Sequence, residues 1–233
     1  MSENIIEYKI IDIKKETNNV FTLCLSCVDA LPRYNAGQII TVYIPELNKN
    51  KGKEYSISSE PSEEILNITV KRVGDFSKFI TDKKVGDILF GSSPFGYFYS
   101  EKEDVDVVFI AGGIGIAPLR SMLVEYLRDD KKRNIDLFYS NKTLQDIVFK
   151  DELDRLCLEY KNIFNVHYYL TKENIVGQNI RSGRIPIDDI LKAKRTKTAE
   201  FFICGSREFV QSYYNLLISA GIPYSNIFTE EFF

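Results

Sequence analysis

The chain is poor in the residues that carry much of enzyme chemistry. Of 233 residues, one is histidine and four are cysteine. His167 stands in the strand-like run FNVHYYLT with no nucleophile pattern around it, so it reads as a structural residue and not as part of a triad. The cysteines, at 24, 27, 157 and 204, are too few and too scattered for a disulfide framework. Cys24 and Cys27 form a C-x-x-C, but VFTLCLSCVDA alternates like a strand, where side chains three apart point to opposite faces. No second pair completes a zinc or iron–sulfur site, so no bound metal is expected. Long apolar runs are also missing: none approaches the roughly 20 residues of a membrane span. The start, MSENIIEYKI, lacks the basic region and apolar core of a secretory signal, which makes the cytoplasm the expected location. A net charge of -3, with the signs mixed, excludes a broad nucleic-acid footprint.

What remains is an ordinary globular composition, 44% hydrophobic and 27% charged, with a change of rhythm partway along. The first hundred residues read as short strands between turns: IIEYKIIDIKKE, VFTLCLSCV, QIITVYI, EYSISS, ILNITVKRV and DILFGSS. One helix, DFSKFITDK, interrupts them after Gly74. Closely spaced strands of this kind predict a small antiparallel barrel or sandwich. Beyond the acidic segment YSEKEDVD, strands alternate with helices, from DVVFIAG and PLRSMLVEYLRDD to REFVQSYYNLLISAG and the final NIFTEEFF. That alternation predicts a parallel sheet covered on both faces. The expected fold class is β plus α/β, with an N-terminal antiparallel β-barrel over 1–100 and a C-terminal α/β nucleotide-binding domain over 101–233.

The chemistry concentrates in VVFIAGGIGIAPLRSML. A buried strand runs into a glycine turn and then a helix, at the carboxyl end of the first strand of its domain, where open α/β sheets bind ligands. Gly112, Gly113 and Gly115 let backbone approach a ligand closely. The following helix offers unpaired amides and the positive end of its dipole to a phosphate. Pro118 suits the first helical turn, where its missing N–H costs nothing.

G-G-x-G-x-x-P after a strand resembles the dinucleotide loop of the ferredoxin–NADP⁺ reductase superfamily, flavoproteins that pair a flavin-binding barrel with a pyridine-nucleotide domain in this order. Further motifs match in sequence order. KEYS resembles the family's R-x-Y-[ST], with Lys53 in place of the arginine. The resemblance implies that Tyr55 packs on the flavin ring, Ser56 hydrogen-bonds near its N5, and Lys53 neutralises a flavin phosphate without the fork of an arginine. In VKRVGDFSKFI, Val70, Gly74, Phe76 and Ser77 correspond to the segment around the flavin pyrophosphate, Gly74 giving the turn and Ser77 capping the helix and donating to phosphate. VGDILFGSSPFG resembles the family's V-G-D…G-P-x-G, with Ser93 where glycine is usual. Cys204 and Gly205 in FFICGS match the C-G that borders nicotinamide C4. The terminal E-x-aromatic fits in two registers, Glu230 with Phe232 or Glu231 with Phe233, and Phe233 is a candidate to cover the flavin.

By this resemblance the protein is an NAD(P)H-dependent flavin oxidoreductase holding FAD in preference to FMN, with no iron–sulfur cluster. Catalytic roles fall to Ser56, Cys204 and a terminal glutamate, Glu230 or Glu231. Ser140 and Lys142 in YSNKT, with Thr171 and Lys172 in YLTKEN, resemble the 2′-phosphate site of NADP⁺-type relatives, which leans the choice between NADPH and NADH toward NADPH. The expected electron acceptor is a separate small redox protein, ferredoxin or flavodoxin, docking on a rim of Lys49, Lys51, Lys53, Lys71 or Arg72. Reduction of free flavins or small molecules, and service as an electron-transfer or regulatory component of a larger complex, stand as alternatives.

Overall fold

The computed structural model describes residues 5–27, 30–45, 52–102, 104–129, 133–175, 177–193 and 198–232. The chain divides into two compact units. The first holds Met1–Tyr99 together with Arg120–Glu125 from the middle of a later helix; the second holds Ser100–Leu119 and Tyr126–Phe233. Among the described residues no helix is long and apolar enough to cross a membrane.

The first unit is built from β1 (Ile6–Lys15), β2 (Val20–Cys27), β3 (Ile39–Tyr43), β4 (Lys53–Ser56), β5 (Leu66–Lys71), helix α1 (Asp75–Thr81) and β6 (Ile88–Gly91). The six strands pair antiparallel in the order β4-β3-β6-β1-β2-β5. An antiparallel bridge between Ile57 and Ile68 joins the two ends of that order, so the sheet closes on itself as a barrel. Alternation sets the two faces. Tyr8, Ile10, Leu23, Leu25, Ile40, Ile57 and Ile68 fill the interior at 0% exposure. The residues between them point outward. Cys24 is buried and Cys27 half-buried at the end of β2.

The second unit contains β7 (Val107–Gly112), α2 (Ile116–Arg128), β8 (Ile135–Asn141), α3 (Lys150–Glu159), β9 (Phe164–Leu170), β10 (Ile180–Ser182), α4 (Ile187–Leu191), β11 (Glu200–Ser206), α5 (Arg207–Ser219) and β12 (Ile227–Phe232). All six strands run parallel, in the order β10-β9-β8-β7-β11-β12. β10, three residues long, replaces part of the loop expected between β9 and α4. Val108, Ile110, Phe201 and Ile203 carry the core on the face covered by α4 and α5. On the opposite face Phe109, Phe202 and Phe228 form a row, the first pair tilted with centroids 5.8 Å apart and the second stacked at 4.6 Å. His167 lies on β9, 3.2 Å from the Asp136 carboxylate and stacked on Phe138. The chain leaves β7 for β8, β9 and β10 on one side, then returns to β11 and β12 on the other. That reversal opens a crevice at the carboxyl ends of β7 and β11, the place where such sheets hold ligands.

Candidate functional site

In the second unit the glycine loop occupies that crevice. β7 ends at Gly112, a single 3₁₀ turn spans Gly113–Gly115, and α2 begins at once, with Pro118 in its first turn. The glycines do different jobs. A Cβ on Gly115 would lie 2.1 Å from the Cys204 carbonyl oxygen and 2.7 Å from the Gly205 nitrogen, so this glycine lets the start of α2 press onto β11. Gly113 has φ +54 and open space where a Cβ would sit, leaving its backbone accessible to a ligand. Gly112 and Gly205 form a notch that receives the ring of Phe209, whose atoms would come within 2.9 and 2.8 Å of a Cβ on either. Tyr139, fully buried, donates its hydroxyl to the Gly113 carbonyl at 3.0 Å and accepts the Val148 amide at 3.3 Å. Neither Phe209 nor Tyr139 belongs to a recognisable motif; only the paired strand ends give them their place.

The pairing of β11 with β12 puts the two candidate glutamates on opposite faces. Cys204 lies opposite Glu230, and Gly205 opposite Glu231. Directly paired residues share a face, so Glu230 stands beside Cys204 while Glu231 turns to the other side. There Glu231 lies 3.9 Å from the Arg207 guanidinium and lines a cavity of about 440 Å³ with Gln211, Tyr214, Asn215 and Thr229. Burial, and secondarily the charge of Glu230, push the Cys204 thiol well above its ordinary range. It is a neutral, packed thiol, unsuited to act as a nucleophile. Phe233 and the rim lysines Lys49 and Lys51 lie outside the described residues.

At the carboxyl ends of β8 and β9, the Thr171 and Lys172 amides donate to the carbonyls of Asn141 and Lys142, each at 2.9 Å. The backbone thereby gathers Ser140, at the end of β8, with Lys142, Thr171 and Lys172 on the adjacent loops. The Thr171 hydroxyl also donates to the Asn141 carbonyl, at 3.2 Å. Acids share the neighbourhood: Glu173 accepts the Leu144 amide at 2.7 Å, and Asp146 accepts both the amide and the hydroxyl of Thr143.

In the first unit Lys53, Tyr55 and Phe76 cluster. The rings of Tyr55 and Phe76 stack with centroids 6.3 Å apart, and the Lys53 ammonium lies 5.7 Å over Phe76. Burial raises the Tyr55 phenol above its ordinary value, so it stays protonated. Ser56, the next residue, is buried on the opposite face of β4. Three expectations need correction. Val70 is packed inside the barrel at 1% exposure, so its side chain does not face a ligand. Gly74, with φ -165, has a backbone that any residue adopts; what distinguishes it is the open space on its Cβ side. The Ser77 hydroxyl accepts the amides of Val73 and Gly74 and donates to the Gly74 carbonyl. It fixes the turn and has no second proton for a phosphate.

A flat aromatic pair with a cation above it suits a flavin, and an accessible glycine amide at a helix start suits a dinucleotide pyrophosphate. Comparisons with known proteins agree. The oxidoreductase NAD-binding domain family matches residues 109–214. The F component of the Na⁺-translocating NADH-quinone reductase of Neisseria gonorrhoeae is 29% identical over 245 residues, covering 97% of this chain and 57% of the relative. The chain thus spans little more than half the length of the curated relatives it matches. Two solved structures share the fold: the flavohem-like FAD/NAD-binding domain of nitric oxide dioxygenase from Vibrio cholerae, and a ferredoxin–NADP⁺ reductase from N. gonorrhoeae with bound FAD and NADP. The first has a TM-score of 0.85 at 21% identity, covering 97% of this chain and 98% of that one. The second has a TM-score of 0.82 at 23% identity, covering 98% and 99%. The antiparallel barrel followed by a parallel-sheet α/β unit is the fold that this chain shares with ferredoxin–NADP⁺ reductases.

Proposed function

We propose that the protein is an NAD(P)H-dependent flavin oxidoreductase that holds FAD on its barrel and delivers electrons to a separate acceptor. The observation that carries this reading is that one chain contains both a nucleotide crevice, with Gly113 open between β7 and β11, and a barrel edge where Lys53, Tyr55 and Phe76 converge. When bound, the flavin supplies the ability to accept a hydride and release electrons singly, chemistry that no side chain here provides.

The residues then have positioning tasks. Gly113 and the amides at the start of α2 bind the pyrophosphate, Gly115 and Tyr139 hold that loop, and Cys204 forms a neutral wall beside the reacting ring. Glu230, sharing the face of Cys204, is the terminal glutamate placed to hold a proton; Glu231 faces the α5 side and has no such role. In the barrel Tyr55 and Phe76 offer stacking surface, Ser56 a hydroxyl, and Lys53 a point charge for a phosphate. Lys142 and Lys172 favour NADPH, moderated by the nearby carboxylates of Glu173 and Asp146.

For the acceptor, ferredoxin or flavodoxin is our choice, supported by the complete coverage of the ferredoxin–NADP⁺ reductase fold. The likeness to a quinone-reductase component supports a second reading, service inside a larger complex. Steady-state NAD(P)H oxidation with ferricyanide, ferredoxin, flavodoxin and free FMN separates these readings. Turnover with ferricyanide and one of the two small proteins supports the first. Turnover with ferricyanide alone favours the second, and failure with every acceptor refutes the enzyme.

A further inference from the structure

We propose that the buried hydroxyls of Ser58, Thr69 and Thr22 form a proton relay connecting the barrel face that carries Ser56 to the carboxylate of Glu16. The contacts are continuous. Thr22 Oγ1 lies 2.7 Å from Glu16 Oε1, Thr69 Oγ1 2.9 Å from Thr22, and Ser58 Oγ 2.8 Å from Thr69. Exposure of the three hydroxyl residues is 3%, 4% and 1% for Thr22, Thr69 and Ser58, whereas Glu16 is half-buried and reaches solvent. Strand register produces the alignment: Thr22 pairs with Thr69 across β2 and β5, and the Ser58 amide continues the ladder onto the Asn67 carbonyl at 2.8 Å. Ser58 follows Ser56 by two residues, with Ile57 in the core between them, so both serines face outward.

Counting protons gives the chain a direction. Each hydroxyl has one to donate. With Glu16 ionised, Thr22 must donate to it, which obliges Thr69 to donate to Thr22 and Ser58 to donate to Thr69. The Ser58 oxygen is then left as an acceptor at the far end. With Glu16 protonated every bond reverses, and the Ser58 proton finds an acceptor already in place, the Asn67 carbonyl at 3.3 Å. Both orientations are satisfied, as a relay requires and a simple structural network does not.

Its use in turnover rests on the flavin reading. A hydride brings two electrons and one proton, and an acceptor taking electrons alone leaves one proton behind in each cycle. With reduced flavin bound, Ser58 would take that proton from a flavin N–H while passing its own to Thr69, Thr69 to Thr22, and Thr22 to Glu16. Four O–H bonds form as three O–H bonds and the donor's own bond break, so the hydroxyls end neutral. Glu16 releases the proton to water, and the chain resets. Other charged and titratable groups border this wall: Asp12 and Lys14 on β1, Cys24 on β2, Lys71 on β5, Arg120 on α2, whose guanidinium donates to the Ser58 carbonyl and pairs with Glu63, and Glu63 itself within electrostatic reach of Cys24.

The test has two arms, both on the full chain. In the first, NMR follows the Glu16 carboxyl, the Thr22 and Thr69 methyls and the Ser58 side-chain carbon during an acid titration, with or without flavin. The relay predicts that all titrate with the midpoint of Glu16. Thr69→Val should uncouple Ser58 while Thr22 still follows Glu16, and Thr69→Ser should restore the coupling. A Ser58 signal that ignores Glu16 in the wild type, or still follows it in Thr69→Val, overturns the relay; the latter result assigns the shift to the field of the bordering charges. In the second arm, stopped flow with a pH indicator compares proton release with flavin bleaching. Thr69→Val should slow release on the order of tenfold or more, with bleaching rate and FAD content unchanged and Thr69→Ser near wild type. Unchanged release in Thr69→Val refutes the catalytic use of the relay. Absence of any bound flavin instead refutes the cofactor reading, and leaves the first arm to decide the relay.

Discussion

Gly115→Ala gives the severest test of how the dinucleotide loop is held. A Cβ there would meet the Cys204 carbonyl oxygen at 2.1 Å, the carbonyl carbon at 2.4 Å and the Gly205 nitrogen at 2.7 Å. All three are backbone atoms near the carboxyl end of β11, still paired with β12, so no side chain can swing aside. The start of α2 and the end of β11 must separate by about 0.9 Å before the closest contact reaches even 3.0 Å. Forced separation of packed backbone should cost about 3 kcal/mol, the upper end of what overpacking exacts. With a urea slope of about 2 kcal/mol per molar, the midpoint for the second unit falls by about 1.5 M. Gly113→Ala is the contrast. It meets nothing within 4 Å and carries only left-handed strain at φ +54, about 1 kcal/mol. Yet its methyl projects where a ligand approaches the loop. Far-UV circular dichroism during urea unfolding, paired with calorimetric binding of NADPH and NADH, should therefore show Gly115→Ala losing stability and affinity together, and Gly113→Ala losing mainly affinity. If Gly115→Ala unfolds within about 0.5 kcal/mol of wild type, the close packing of the loop on β11 is wrong.

Tyr139→Phe leaves the buried Val148 amide unpaired and removes one of two donors to the Gly113 carbonyl, which keeps the Ile116 amide. It should cost about 2 kcal/mol in chemical denaturation and weaken nucleotide binding. Cys204 should resist iodoacetamide in the folded protein at pH 8. At higher pH, mass-spectrometric labelling should quicken modestly in Glu230→Gln, because a negative charge beside the thiol is gone, and remain unchanged in Glu231→Gln. The Tyr169 hydroxyl bonds Asp189 at 2.7 Å and is the main reason that carboxyl is held below its ordinary value. Because the folded-state value is depressed, the stabilisation is present above the unfolded carboxylate range and is lost as pH falls through it. Tyr169→Phe should therefore destabilise by about 1 kcal/mol near neutral pH, with the difference shrinking in melts below about pH 4.

The order of architectures was legible because hydrophobic periodicity switches from alternation to strand–helix repetition near residue 100. The glycine loop was legible because its residues are consecutive. What escaped depends on partners distant in sequence. β10 has three residues, too few to show a period. The choice between Glu230 and Glu231 needs the register of β12 on β11, since adjacent residues of a strand look alike in sequence and face opposite ways. Gly112 and Gly205 lie far apart along the chain, and only their pairing makes the notch for Phe209. Ser77 looked like a phosphate donor because its type and position allow it, but the turn at Gly74 engages its hydroxyl first. The Glu16–Thr22–Thr69–Ser58 chain draws on four separate segments, none with a motif.

A barrel that holds a flavin, served by a nucleotide crevice in the same chain, is tested most directly by one anaerobic titration. The protein, purified and offered FAD, is followed by visible absorption while NADPH and then NADH are added. The expected result is a bound yellow chromophore bleached by stoichiometric reduced nucleotide, more readily by NADPH. A colourless protein that takes up no FAD, or a bound flavin that neither nucleotide bleaches, would contradict it.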